Sequence, residues 1–370
     1  MQHLSFWEKE IWFRHIDYLI VGGGIVGLTS AIEIKRKEPK AKVLVIEKGI
    51  LPSGASSKNA GFACFGSIGE LLQDIENIGE EATMQLVLMR WQGLNKLKSL
   101  LGENALGYEA FGNIELFQNR EEEQQAKDHL EYFNHLLHNE IGSEVYTALK
   151  QDHFGFPGII NRFEGQINTG NMISNLQLLA AQEGVLMLNG LSIKEFHESG
   201  NHVVARLDGE SKIKTNHLLI ATNGFASQLL PELDVEPGRA QVLITKPIEN
   251  LPFQGAYHLD KGYYYFRNVG NRVLLGGGRN LDFKGEKTYS QELTYPVQDK
   301  LEELLNECIL RDIPYEIDTR WAGTLGLGKN RQPIIKQINK HVFCAVRMGG
   351  MGVAIGSLVG EKAANMVLSS

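Results

Sequence analysis

The stretch from Asp17 to Ala31, DYLIVGGGIVGLTSA, constrains the rest of the chain more than any other. Tyr18 to Val21 is a short apolar run that reads as a buried parallel strand. It stops at three glycines and resumes as a helical pattern through Ile25, Leu28, Ala31 and Ile32. Gly22, Gly24 and Gly27 fit the spacing G-x-G-x-x-G. In that pattern the first glycine allows the tight turn, the second lets backbone approach a pyrophosphate, and the third lets the helix sit close on the strand. The helix start then offers free N–H groups and a positive dipole end to the phosphates. A second apolar strand, Val43 to Ile46, ends in Glu47, 20 residues after Gly27, where an acidic residue can hydrogen-bond a ribose diol. This context favours a dinucleotide site over a glycine-rich turn in some other α/β fold.

A chain of 370 residues exceeds what one hydrophobic core supports, so two lobes are expected. With 43% hydrophobic and 22% charged residues the composition is that of an ordinary globular protein. The net charge of −7 and the lack of a basic run argue against nucleic acid as a partner. Cys64, Cys308 and Cys344 are odd in number and far apart, which fits neither a disulfide framework nor a metal site. A reducing, cytoplasmic compartment is the expectation. No apolar stretch approaches the ~18 residues a spanning helix needs. Met1 to His15 lacks a cleavable signal pattern. Its aromatic residues suggest an arm packed on the first lobe, with a weak membrane-surface helix as the alternative.

After Glu47 comes Lys48 and then a loop dense in small and hydroxyl residues, Leu51 to Phe62, suited to wrapping a ligand. The pattern from Ile68 to Leu101 is helical, closed by Gly102, and Gly112 to Phe117 reads as a strand. A charged helix is expected from about Arg120 to Asn139. Further strands are expected at Val185–Leu188, Val203–Leu207 and Leu218–Ala221. The last runs into Ala221-Thr222-Asn223-Gly224, at the carboxyl end of a strand where open α/β sheets bind ligands. From Val235 to Phe283 alternation and β-branched or aromatic residues predict antiparallel strands, with Tyr264 facing away from Tyr263 and Tyr265. A helix is expected over about Pro296 to Leu310. A final strand, Val342 to Val346, leads into Gly349-Gly350-Met351-Gly352-Val353 and a closing helix. This second glycine-rich helix start points to another part of one extended cofactor. Its dipole would stabilise negative charge on a reduced flavin, and a nicotinamide would gain nothing comparable.

With both glycine sites in view, the chain resembles the FAD-dependent D-amino-acid oxidase superfamily. That group includes glycine oxidase, monomeric sarcosine oxidase, D-amino-acid dehydrogenases and gamma-glutamylputrescine oxidase. The resemblance rests on GGGIVG with Glu47, GASSKNAG at 54–61, ATNG at 221–224 followed by VEPGRAQVLITKP, and YYYFRNVGNRVLLGGG. It continues through WAG at 321–323, NRQP at 330–333 and the closing GGMGVAIGSLVG. It implies an α/β fold with an α+β second lobe. A Rossmann-like FAD-binding domain would comprise residues 1–68, 152–228 and 318–370. An antiparallel-sheet substrate domain would comprise 69–151 and 229–317.

The resemblance further implies that the C–N bond of a small amine or amino acid is oxidised by hydride transfer to flavin N5, followed by imine hydrolysis. Oxygen or another acceptor would then take the electrons. A 2-hydroxy-acid oxidase on the same fold and a flavin-binding assembly protein without turnover are the alternatives. Cofactor contacts would come from Gly22, Gly24, Ile25, Val26, Gly27, Glu47, Lys48, Ser56, Ser57, Asn59, Ala60 and Gly61. Others would come from Ile193, Ala221, Thr222, Gly224, Gly349, Gly350, Met351, Gly352 and Val353. Tyr265, Arg267, Leu325 and Met351 are expected nearest the reacting atoms. The chain departs from the family at the substrate. Leu325 stands where relatives place a carboxylate-binding arginine, and Gly350 where they place a second; Arg267, Arg279, Arg320 and Arg347 remain, with surface or inter-lobe pairing the favoured role for each. Leu274 falls where sarcosine-oxidase-like members hold a lysine over the flavin. No cysteine lies between Trp321 and Pro333, so FAD is expected to be non-covalent.

Overall fold

The computed structural model describes residues 4–208 and 211–370. Its first eight-stranded sheet is organised around Ile16–Val21, which pairs in parallel with Lys212–Ile220 on one side and Val43–Glu47 on the other. Leu186–Asn189 extends one edge, and Val342–Val346 with Ile334–Asn339 the other. Both faces of the central strands are covered, which is why they are near-continuous apolar runs rather than alternating ones. Helices Ile25–Lys37, Glu80–Leu101, Thr169–Gln182 and Gly352–Leu368 pack on one face. An antiparallel meander, Ile193–Ser199, His202–Leu207 and Lys212–Ile220, folds over the other.

Helices Ile25–Lys37 and Gly352–Leu368 cross closely because small residues meet there. A methyl on Gly360 would lie 2.7 Å from the Thr29 side chain and 2.8 Å from the Val26 carbonyl oxygen. The Ser30 hydroxyl donates to the Gly360 carbonyl at 2.9 Å. This contact sets the two glycine-rich helix starts side by side at the carboxyl end of the sheet.

The second sheet has the order 317–327, 236–245, 272–277, 264–269, 256–259, 113–116, 158–161, 146–148. Its pairings are antiparallel except that of Asn113–Leu116 with Ala256–Leu259. Alternation divides its residues between two faces. Leu243, Tyr257, Tyr264, Phe266 and Leu275 enter a core beneath helix Tyr295–Leu304. The opposite face turns to the first lobe with Val242, Ile244, Tyr265, Leu274 and Trp321 packed on Ala60 and Phe62. Tyr264 and Tyr265 therefore separate as alternation predicts, whereas Tyr263, which precedes the strand, packs against the same core as Tyr264.

Several expected elements are adjusted. The helical run from Ile68 breaks at Gly79, whose φ of +82° ends Ile68–Ile78 before Glu80–Leu101 begins. The charged helix divides at His129 into Arg120–Asp128 and Leu130–Ile141. Helix Tyr295–Leu304 gives way to wider π turns over Leu305–Ile309. Sheet membership also crosses the expected borders at 152 and 318. Gly158–Asn161 and Ile317–Leu327 both hydrogen-bond into the second sheet, the latter along all ten residues of Glu236–Thr245. Of the N-terminal arm, Met1–His3 lie outside the described residues. The rest is tied to the first lobe by its backbone, the Lys42 ammonium donating to the Glu10 carbonyl at 2.9 Å and the Arg14 carbonyl at 2.6 Å. Phe6 and Trp7 stay 61% and 70% exposed, so the arm's leading aromatics do not pack as expected. No helix among the described residues is long and apolar enough to cross a membrane.

Candidate active site

Gly22 and Gly27 form a packed joint. Gly22 has φ +115°, and a methyl on it would lie 2.6 Å from the Ala221 carbonyl oxygen; one on Gly27 would overlap the Gly22 carbonyl. Gly24 opens helix Ile25–Lys37 without a side-chain cap of its own. The loop after the second strand crosses this helix start, and the Ser56 hydroxyl accepts the Ile25 N–H at 3.0 Å. Glu47 shapes the same corner from the other side. Its carboxylate accepts the Gly23 and Gly49 N–H groups, each at 3.0 Å, and the Ser53 hydroxyl at 2.8 Å.

The closing turn is joined to the strand exit at Ala221. The Asn223 side-chain oxygen accepts the Met348 N–H at 3.1 Å. Gly349 and Gly350 then take φ of +59° and +88°, and no side chain caps helix Gly352–Leu368. Nothing lies within 4 Å of where a Gly350 Cβ would be.

Between these helix starts runs a cleft of about 430 Å³, within the size range of cofactor sites. It gathers Gly22, Gly24, Ile25, Val26, Glu47, Lys48, Ser56, Asn59, Ile193, Ala221, Thr222, Gly350, Gly352 and Val353 from the expected cofactor residues, and Leu325 with them. The remaining candidates lie behind the wall. Gly27 is taken up by the turn, and Gly224 abuts the Leu325 carbonyl. The Ser57 hydroxyl is turned to the carbonyls of Pro52 and Gly54. Ala60 and Gly61 give their carbonyls to Arg267 and to the Ile167 N–H. Gly349 backs onto Arg331, and Met351 caps the closing helix.

Some lining residues had no signal in the sequence. Phe225 carries the Lys48 ammonium 3.1 Å from its ring centroid and stacks on Tyr289 at 5.5 Å. The Tyr289 hydroxyl and the Ser227 hydroxyl share a hydrogen bond of 2.7 Å. Desolvation lowers the Lys48 pKa, and the neighbouring Glu47 charge pulls it partly back. Leu191, Ser192, Lys194 and Asp208 reach the cleft from the meander, whose polar first strand, Ile193–Ser199, the sequence does not mark.

The expected catalytic residues separate by role. Arg267 is 5% exposed and spends its donors on main-chain carbonyls, of Ala60 at 2.6 Å and Ile167 at 2.9 Å. Burial lowers its pKa to about 10, so it stays a cation that clamps the two lobes. Tyr265 lies across Gly276, where a methyl would be 2.5–2.9 Å from its ring atoms and hydroxyl. Burial pushes its hydroxyl up to about 12, so it stays protonated. Farther along this face the buried Glu115 is pushed up to about 7 by desolvation, opposed by the Gly69 N–H it accepts at 3.0 Å. No cysteine lines the cleft. Cys64 lies against Asn113, and Cys308 and Cys344 sit in the cores.

The residues fit an extended dinucleotide. Gly350 leaves room at the second helix start, and the Thr222 hydroxyl, on the cleft wall, is buried without a partner. An orphaned polar atom at a ligand cleft calls for a polar ligand.

The sequence profile of the FAD dependent oxidoreductase family matches residues 17–366, and the chain belongs to that family. Over 96% of its length it is 24% identical to the probable oxidoreductase OrdL of Rhizobium meliloti (strain 1021), 83% of which is covered. Two solved structures share the fold. L-proline dehydrogenase from P. horikoshii aligns at a TM-score of 0.76 and 20% identity, over 96% of this chain and 94% of that one. Glycine oxidase from Geobacillus kaustophilus aligns at 0.76 and 18%, over 96% and 95%. The expected superfamily, fold class and FAD dependence are thus borne out.

Proposed function

We propose that the protein oxidises the C–N bond of a small amine or amino acid. The observation that carries this reading is the apolar face at the junction of the lobes, packed on the loop that reaches the cleft wall through Asn59. Val242, Ile244, Leu274 and Trp321 pack on Ala60 and Phe62, and the polar side chains beside them, Tyr265 and Arg267, hold their protons at neutral pH. Such a surface excludes water, and the side chains of this patch offer no base; Glu115 lies farther along the same face. The patch suits a substrate that arrives as the neutral amine and needs no base. FAD held in the cleft would supply a two-electron acceptor for the hydride on the carbon bearing the amine. The chain's part is to bind and orient. Gly22 and Gly24, with the start of helix Ile25–Lys37, would hold the pyrophosphate, and Glu47 the adenosine ribose. Gly350, Gly352 and Val353 would meet the pyrimidine edge of the ring, where their helix dipole favours negative charge. Leu325 would lie beside the ring, and the Tyr265 hydroxyl would offer the substrate a hydrogen bond. With no cysteine on the wall, attachment is non-covalent, and the imine product hydrolyses in water.

The test is an anaerobic screen of the FAD-loaded protein against amines, amino acids and hydroxy acids, read as bleaching of the flavin. Bleaching by an amine or amino acid is the expected result. Bleaching by a hydroxy acid and by no amine would overturn the substrate class. A separate check is denaturation, which should release all of the FAD into solution.

A further inference from the structure

Toward its Glu47 and Lys48 end the cleft lies between two lips. One is the loop that carries Pro52, Ser53 and Gly54; the other is the turn that carries Asn223, Phe225 and Gln228. Both are slight elements, a four-residue helix over Ala55–Lys58 and a 3-10 turn over Asn223–Gln228. Short surface pieces of this kind open locally more readily than the sheet behind them. Their hold on a dinucleotide depends on what is laid across them.

A stretch of the second lobe crosses both. Residues 286–292 lie in the connection from strand Arg272–Gly277 to helix Tyr295–Leu304. On the first lip, the Gln291 amide donates to the Ser53 carbonyl at 3.3 Å and accepts the Lys58 ammonium. On the second, the Tyr289 ring stacks on Phe225 with 23° between the planes, and its hydroxyl bonds that of Ser227. The same Phe225 ring carries the Lys48 ammonium inside the cleft. The stretch is in turn fixed near both ends by one side chain. Arg239, 6% exposed, donates to the Glu286 carboxylate at 2.7 and 2.8 Å and to the Glu292 carbonyl at 2.8 Å. Gln241 adds a donor to Glu286 at 3.1 Å and accepts the Thr294 N–H at 3.0 Å. A buried, two-pronged guanidinium–carboxylate pair fixes geometry as well as position, so residues 286–292 form a strap rooted in the second sheet.

We propose that this strap completes the FAD site from the second lobe: Tyr289 and Gln291 are positioning residues that keep the two lips closed on the bound dinucleotide, and FAD leaves when the strap lifts. Neither lines the cleft; each acts through a residue that does, Phe225 for Tyr289 and Ser53 for Gln291. The inference rests on FAD binding and not on the substrate, so it stands apart from the amine-oxidising reading.

The test is the rate at which FAD leaves, which needs no turnover. The loaded protein is diluted, and release is followed by flavin fluorescence. Tyr289→Leu should release FAD about 3- to 10-fold faster, the span of an aromatic pair. Gln291→Ala, which frees the other lip and leaves the stack intact, should release it about 3-fold faster. Tyr289→Phe keeps the stack and should restore release to within about twofold of wild type. Tyr295→Leu, at a tyrosine 86% exposed just beyond the strap, should leave the rate unchanged. Denaturant midpoints are read alongside, with and without FAD. Tyr289→Leu is expected to cost more stability in the loaded protein than in the apoprotein, because it loosens the grip on a ligand. An equal loss in both forms would make Tyr289 a structural residue and overturn the proposal. So would release from Tyr289→Leu and Gln291→Ala at the wild-type rate, or equally fast release from Tyr295→Leu.

Discussion

The two glycine-rich helix starts look alike in sequence and are built differently. At the first, the chain itself fills the space. A methyl on Gly27 would overlap the Gly22 carbonyl, and the Ser56 hydroxyl already holds the Ile25 N–H. At the second, Gly350 turns with nothing within 4 Å of its missing side chain, and no side chain caps the helix behind it. One is a joint between protein parts, the other a cradle left open to a ligand. Glycine is demanded by packing at the first and by backbone conformation and ligand space at the second. The same residue type therefore fails in different ways when replaced.

Gly27→Ala should have the largest effect. The overlap is with backbone, so no rotamer relieves it, and helix Ile25–Lys37 must lift from its strand. That helix also carries Gly352–Leu368 through the contact at Gly360, so the displacement reaches both sites. A loss of about 3 kcal/mol is expected, measured as a lower denaturant midpoint in the flavin-free protein. A midpoint equal to wild type would show that the first start is not a packed joint.

Removing the flavin comes next. At free FAD 100-fold above its dissociation constant, binding contributes about 2.7 kcal/mol, and this should vanish in the apoprotein. The loss should be uneven. Hydrogen exchange is expected to speed up at residues 350–354 and to change little at 25–28, whose lead N–H is held by Ser56. Equal deprotection of both segments would erase the distinction between joint and cradle.

Gly350→Ala separates conformation from contact. The added methyl meets no atom of the chain, and the cost is the positive φ of +88°, about 1–2 kcal/mol for a non-glycine residue. The apoprotein should keep its helix content by circular dichroism, while a flavin titration should show weaker binding. Unchanged flavin affinity would remove Gly350 from the cofactor wall.

How much of this was legible depends on how far apart the partners lie. Tyr18 to Gly27, Glu47 and the closing Gly349–Gly352 announce themselves because the strand, turn and helix start are contiguous. Which face of Tyr264–Val269 a residue takes follows from alternation, so Tyr265 and Tyr264 were separable in advance. What they face was not. Arg267 finds its carbonyls 207 and 100 residues away, at Ala60 and Ile167, and no local spacing encodes that clamp. The Phe225–Tyr289 stack over Lys48 is hidden for the same reason. Gly79 misled differently. A lone glycine inside a helical pattern is tolerated, and only its left-handed φ reveals that the helix ends there. Sheet membership of Gly158–Asn161 and Ile317–Leu327 likewise depends on pairing across the chain, which a glycine-rich sequence does not advertise.

Ser56→Ala is the finest test, because it removes a single acceptor from the first start and nothing from the second. The Ile25 N–H at 3.0 Å would lose its partner at the mouth of the cleft, where water can partly replace it. The net worth of one such hydrogen bond is about 1 kcal/mol, and that is the expected fall in apoprotein stability. In the flavin-bound protein the loss should be smaller if the pyrophosphate takes up the same N–H, and equal if it does not. Comparing denaturant midpoints of wild type and variant, each with and without FAD, closes a four-state cycle whose coupling reads directly on who owns that N–H. Zero coupling would leave Ser56 as the permanent cap of helix Ile25–Lys37. It would also move the pyrophosphate's contacts to the remaining backbone of Gly22 to Gly24.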